Sequence, residues 1–138
     1  MLTTYFLKII GEDIFKHQEM QQIPFDYYIG FSSTVPNIDG SGVTEPLENT
    51  GYSRALIENN ENTFDVTDDN GLVTNYNIIY FPESKLPWEN LIYYVIYDSL
   101  TDGNLLAFGK LNQTITVPIK TVISIPVSAL SLKVSNGW

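Results

Sequence analysis

The chain has 138 residues, 43% of them hydrophobic and 13% aromatic, with 16 acidic against 7 basic side chains and a net charge of −9. That size holds one domain, and the apolar share excludes a disordered chain. The acidic balance excludes nucleic acid and anionic membrane as favourable partners, because both carry negative charge. The lack of cysteine excludes disulfides, thiolate catalysis and cysteine-based zinc sites.

In chain order, the first segment stands apart. Met1 to Ile10 is apolar but short, has no basic start and runs into Glu12 and Asp13, unlike a secretory signal. Folding in a cytoplasm is expected. Phe6, Ile10 and Ile14 fall four apart, with Leu2 and Leu7 near the same face, which predicts an amphipathic helix over residues 3–16. Such a helix either covers one end of a core or acts as an arm that docks on a neighbouring subunit. No apolar run approaches the roughly 20 residues of a membrane-spanning helix.

From residue 24 onward the pattern turns to strands. Residues 25–31 alternate, with Tyr27, Ile29 and Phe31 on one face. A long loop over 32–50, carrying Pro36, Gly40, Gly42 and Pro46, reads as a lid or an assembly contact. A strand is expected over 52–58, a polar turn over 59–62, and a hairpin turn at Asp68-Asp69-Asn70-Gly71. Further strands are expected over 72–81, 91–97, 105–111, 114–117, 120–125 and 128–134. Pro87-Trp88-Glu89 reads as a corner, and Thr101-Asp102-Gly103-Asn104 as a hairpin turn. Val, Ile, Thr and Tyr dominate, and Ala55, Ala107 and Ala129 are the only alanines, which favours strand over helix. The expected fold is all-β: a single antiparallel sandwich of about seven to nine short strands with a short N-terminal helix. It forms one domain over 1–138, with a helical arm in 1–20 and a β core in 24–134.

Catalytic and metal chemistry finds little support. His17 is the sole histidine and has polar neighbours, so neither a serine triad nor a histidine metal site is expected. The run from Asp65 to Gly71 places oxygen side chains like a calcium loop. Its glycine comes one residue late, and Tyr76 stands where a bidentate glutamate belongs, so a solvated turn is preferred. Carboxylates for glycoside hydrolysis could come from Asp39, Glu45, Glu48 and Asp102, but the chain is short for a deep cleft. No catalytic, cofactor or metal residue is assigned, and no enzyme is expected. Tyr27, Tyr28, Tyr93, Tyr94 and Tyr97 could stack on sugars, although in strands about half of them must face inward.

Three ordered motifs carry a resemblance: Tyr28-Ile29-Gly30-Phe31-Ser32-Ser33-Thr34-Val35-Pro36, then Asp39-Gly40-Ser41-Gly42-Val43-Thr44-Glu45-Pro46, then Gly51-Tyr52-Ser53-Arg54. With Asn77-Ile78-Ile79-Tyr80-Phe81-Pro82, Pro87-Trp88 and Asp102-Gly103-Asn104-Leu105-Leu106-Ala107-Phe108-Gly109, the chain resembles a family of small bacteriophage virion structural proteins of tail-fibre, head-fibre or decoration type. Glu89, and Ser99-Leu100, depart from that pattern locally. The resemblance implies a virion component with no catalytic residues, binding a major capsid protein or tail components. A capsid decoration or head-fibre role is expected first, as a homotrimer, since closed symmetry suits repeated contacts. A tail-fibre or baseplate module recognising host surface glycans is the alternative. Physically, Gly30 marks a close backbone approach, Trp88 plugs the end of the sandwich, and Arg54 pairs with a loop carboxylate.

Overall fold

A computed structural model describes residues 1–16, 22–66 and 71–133 of the chain. One helix, α1 (Thr4–Phe15), precedes β1 (Asp26–Ser32), a 3-10 turn (Glu48–Thr50), β2 (Ala55–Glu58), β3 (Phe64–Val66), β4 (Leu72–Asn75) and β5 (Ile79–Tyr80). The long strands β6 (Trp88–Tyr97) and β7 (Leu105–Val117) follow, then β8 (Ser124–Ile125) and β9 (Ser131–Lys133). All pairings are antiparallel, in a four-stranded sheet ordered β2-β1-β6-β7, a three-stranded sheet β3-β4-β9 and a two-stranded sheet β5-β8. The all-β expectation holds, with the second layer divided between two small sheets.

Strand alternation decides the layering. On the large sheet Ile29, Phe31, Ile57, Ile96 and Leu106 turn to one side and form a single core with Ile79, Phe81 and Leu130. Phe64, Ile125 and Leu132 bring β3, β8 and β9 onto that same core. The opposite face holds a smaller cluster of Val95, Tyr97, Leu105 and Phe108, covered by Val43 of the loop after β1. Residues 33–47 therefore form a lid over the sheet's second face. They carry their own ladder, in which the Ser33 N–H donates to the Thr44 carbonyl (2.9 Å) and the Asn37 N–H to the Ser41 carbonyl (2.8 Å). Gly40 and Gly42 turn this lid at φ of 91° and 84°.

The first residues belong to the core. Residues 1–3 run beside β7, where the Thr3 N–H donates to the Leu106 carbonyl (2.8 Å) and the Phe108 N–H to the Met1 carbonyl (2.9 Å). The fully buried Thr3 caps α1 by accepting from the Phe6 N–H and also donates to the Leu105 carbonyl at 2.6 Å. Ile9 is buried and Phe6 meets Tyr27 edge-on at 6.3 Å, so the helix covers the core while keeping Leu7, Ile14 and Phe15 exposed. Of the two roles expected for this segment, covering one end of the core is the one these contacts display, while its outer face is left open.

Several strand limits differ from expectation. The strand expected over 72–81 breaks into β4 and β5 because Asn75, 1% exposed, takes up the backbone around it. Its Nδ2 donates to the Asn77 and Pro126 carbonyls (both 2.8 Å), and its Oδ1 accepts from the Leu130 N–H (2.9 Å). The strands expected over 105–111 and 114–117 are one, β7, bulged at 111–114, where the register jumps from Leu91 opposite Ile115 to Tyr93 opposite Lys110. Trp88 is no corner but the first residue of β6, and the irregularity falls at Asn90, with a φ of 56°. The strands expected over 120–125 and 128–134 shorten to β8 and β9, and Val134 lies outside the described residues. The β6–β7 hairpin is present, with Asp102 and Gly103 both left-handed at φ of 51° and 76°. The β3–β4 hairpin is also present, with Val66 opposite Val73, though residues 67–70 of its turn lie outside the described residues.

Trp88 closes the end of the core at 1% exposure. Its indole N–H donates to the Thr50 carbonyl at 3.1 Å, and Tyr52 stands edge-on at 5.3 Å. Trp88→Ala is expected to cost about 3–5 kcal/mol, and Trp88→Phe clearly less, read by chemical denaturation. Equal losses in the two variants would mean that the indole hydrogen bond, and not the filled volume, dominates.

Candidate functional site

The motif residues converge on a buried charge cluster. Arg54, 8% exposed and just before β2, lays a fork on Glu45 of the lid, with Nε to Oε1 at 3.0 Å and an Nη to Oε2 at 2.8 Å. Its other Nη donates to the Ser99 and Asp102 carbonyls of the β6–β7 turn at 2.7 and 2.8 Å, and its guanidinium lies 3.5 Å over the Tyr97 ring. The Tyr52 hydroxyl donates to Glu45 at 2.6 Å and accepts from the Phe31 N–H at 3.0 Å. A Cβ on Gly30 would stand 2.1 Å from that hydroxyl and 2.8 Å from the Glu45 carboxylate, so β1 needs glycine for the cluster to approach. Both the Gly30 and the Arg54 expectations hold.

Burial and then the Glu45 charge push the Tyr52 phenol well above its usual range, and the same causes raise Tyr97. Burial by itself would lower the Arg54 pKa, but the hydrogen bonds and charge of Glu45 outweigh it and raise it. The Glu45 carboxylate, the Tyr52 hydroxyl and four of the five Arg54 donors are engaged within the cluster, which makes it a structural clasp.

The other singled-out residues do not gather. Asp39 accepts from the Ser41 N–H and hydroxyl (3.0 and 2.6 Å) within the lid, and these bonds lower its pKa. Glu48 opens the 3-10 turn, and Asp102 meets Arg54 only through its carbonyl. No group of three acidic or histidine side chains placed to hold a metal occurs among the described residues. His17 and most of the calcium-like run lie outside the described residues, while Asp65 sits in β3 opposite Thr74.

Of the five tyrosines singled out for sugar stacking, four are turned into contacts and none is fully exposed. Tyr27 lies between Phe6 and Phe64 (6.3 and 6.0 Å), Tyr94 covers Gly109, Tyr97 lies under Arg54, Tyr93 packs near Phe108 at 6.2 Å, and Tyr28 is half-buried. The exposed tyrosines are Tyr5, Tyr76 and Tyr80. Tyr80 borders an open groove of about 270 Å³ between β2 and β5, lined also by Leu56, Glu58, Thr63, Asn77 and Ile78. Sequence patterning pointed to the paired tyrosines of the long strands. It missed Tyr80 because nothing in the sequence shows that β5 is a two-residue strand with one face in solvent.

A second open surface is the outer side of α1, where Leu7 and Ile14, seven apart and so on one face, are 53% and 61% exposed.

A family model described as Podophage GP4 fiber I protein gp80 matches residues 2–133. No curated protein matches the chain.

Removing Arg54 strands the half-buried Glu45 carboxylate and two turn carbonyls, so Arg54→Ala is expected to lower stability by about 3 kcal/mol, with Arg54→Lys recovering only part because it lacks the planar fork. A double-mutant cycle with Glu45→Gln measures the coupling; strictly additive losses would refute the clasp. The raised Tyr52 and Tyr97 pKa values add a pH signature. Their contribution is fully present below the unfolded tyrosine pKa of about 10 and fades above it, because only the unfolded chain readily loses those protons there. Melting temperature should fall as pH rises beyond that point, and less steeply in Tyr52→Phe.

Proposed function

Because the chain belongs to the Podophage GP4 fiber I protein gp80 family, a family of phage virion fibre proteins, we propose that it serves on the phage particle by binding and not by catalysis. In this reading it is a head-fibre or decoration component attached to the particle surface through a major capsid or tail protein, and it is assembled in the host cytoplasm. The observation that carries the reading is the outer stripe of α1. Leu7 and Ile14 keep exposed apolar side chains on a helix that Thr3 and Ile9 hold firmly to the sheet. A rigid helix with a bare apolar stripe is a ready contact for other subunits. We assign it to association of the chain with itself as a homotrimer, since closed cyclic symmetry satisfies such a stripe on every copy.

A second reading, a tail-associated module that recognises host surface glycans, draws on the groove beside Tyr80. The two differ in location, which single-particle cryo-electron microscopy of the intact phage decides. Density on the shell supports decoration or a head fibre, and density on the tail or baseplate supports receptor binding.

The double variant Leu7→Glu, Ile14→Glu alters only exposed positions, so its monomer should stay within about 0.5 kcal/mol of wild type per site. Sedimentation should show trimers for the wild type and monomers for the variant. Trimers in both would remove the helix stripe from the interface, and a monomeric wild type would remove the homotrimer itself.

A further inference from the structure

We propose that the groove between β2 and β5 binds a neutral pyranose sugar, an inference that rests on the receptor-binding reading and gives it a site. The groove combines one bare aromatic ring with fixed polar groups. Tyr80 is 65% exposed, and Leu56 and Ile78 extend the apolar border. Because Ile79 is buried in the core, its neighbour Tyr80 stands on the outer side of the strand. A pyranose ring presents an apolar C–H face that lies flat on such a phenol ring, and a rim of hydroxyls that both donate and accept.

The polar lining suits that rim. The Asn77 Nδ2 donates to the Asn62 carbonyl at 2.8 Å, which fixes the amide and leaves its Oδ1 as an acceptor without a partner among the described residues. Glu58 accepts from Asn60 at 3.2 Å through one oxygen, and no cation pairs with it among the described residues. Thr63 and Asn75, by contrast, are saturated by backbone bonds and form a rigid floor. Little ordering is left to occur on binding, which favours weakly interacting ligands such as sugars. The volume of about 270 Å³ lies just under the usual range for drug-sized ligands, about 300–1,000 Å³, and matches a single ring.

Charge narrows the class. The one charged side chain lining the groove is Glu58, with Asp26 opposite it in the neighbouring strand β1, on a chain of net charge −9. Sugar acids would meet repulsion there, whereas hydroxyls find acceptors.

The test is saturation-transfer NMR on the full chain with methyl β-D-glucopyranoside, methyl β-D-galactopyranoside and methyl N-acetyl-β-D-glucosaminide, against methyl β-D-glucuronide as the anionic control. The expected result is transfer to ring protons of at least one neutral sugar and none to the glucuronide. Affinity should fall by at least about tenfold in Tyr80→Ala and persist in Tyr80→Phe. In Glu58→Gln, discrimination against the glucuronide should relax. Both positions are exposed, so melting temperatures should hold and confirm folded variants. Transfer to none of the neutral sugars, transfer to the glucuronide alone, or neutral-sugar binding that survives Tyr80→Ala would each overturn the groove assignment. Binding of the labelled chain to intact host cells judges the receptor reading separately. Cell binding with a silent groove would sink the site and spare the reading, and absence of cell binding would sink the reading itself.

Discussion

The bidentate pair between Arg54 and Glu45 is the contact on which the remaining architecture depends. One guanidinium reaches the lid through Glu45, the β6–β7 turn through two carbonyls, and the sheet through the Tyr97 ring. Tyr52 links the same carboxylate to the backbone of β1. Apart from the clasp, the lid is held over Val95, Tyr97, Leu105 and Phe108 by Val43, by the Thr4 N–H and hydroxyl on the Ile38 carbonyl, and by the Thr44 N–H on the Ser32 hydroxyl. The two carbonyls also matter because a guanidinium has five donors and a carboxylate takes only part of them. A buried arginine satisfied on one side only would cost more than it returns.

The clasp explains why the motifs occur together along the chain. Gly30 makes room for the Tyr52 hydroxyl, Gly51 turns the chain at φ of 82° just before Tyr52, and Glu45 and Arg54 supply opposite charges from either side of that turn. Gly30, Glu45, Tyr52 and Arg54 are needed because the others are present, whereas Gly51 also lies against the backbone of Glu83 and Lys85. A side chain at position 30 would displace Tyr52, which would in turn expose the Phe31 N–H and loosen Glu45. The second ion pair among the described residues, Lys8 with Glu12 at 3.9 Å on the surface of α1, has no such consequence, being exposed and weak.

Much of this was legible in the sequence where period and turn chemistry act locally. The alternation of Tyr27, Ile29 and Phe31 marks β1, the four-residue spacing of Phe6, Ile10 and Ile14 marks α1 even though Leu7 and Ile14 stay exposed rather than joining the packed face, and Asp102-Gly103 marks the β6–β7 hairpin. The partner of Arg54 was narrowed to a loop carboxylate, although Asp39, Glu45, Glu48 and Asp102 looked alike in sequence. What failed to show were long-range effects. Asn75 breaks a strand because a segment more than 50 positions later supplies its partners, as the 55-residue separation from Leu130 shows. The tyrosines of β1 and β6 looked available because their neighbours across the sheet and in the lid belong to other parts of the chain. Tyr80 looked ordinary for the converse reason.

The result is a chain with two kinds of surface. Its first residues pair with β7 beside Leu106 and Phe108, so the edge that an acidic fibre protein would otherwise leave open there is closed by its own backbone. The surfaces proposed above for contacts with the outside are side-chain surfaces, the outer stripe of α1 and the groove beside Tyr80. Neither surface includes a residue of the clasp. The interior can therefore stay fixed while the stripe and the groove change, because substitutions at exposed Leu7, Ile14, Glu58 or Tyr80 leave the buried hydrogen bonds of Arg54 untouched. Such separation lets the fold of a phage fibre protein persist while its exposed side chains vary.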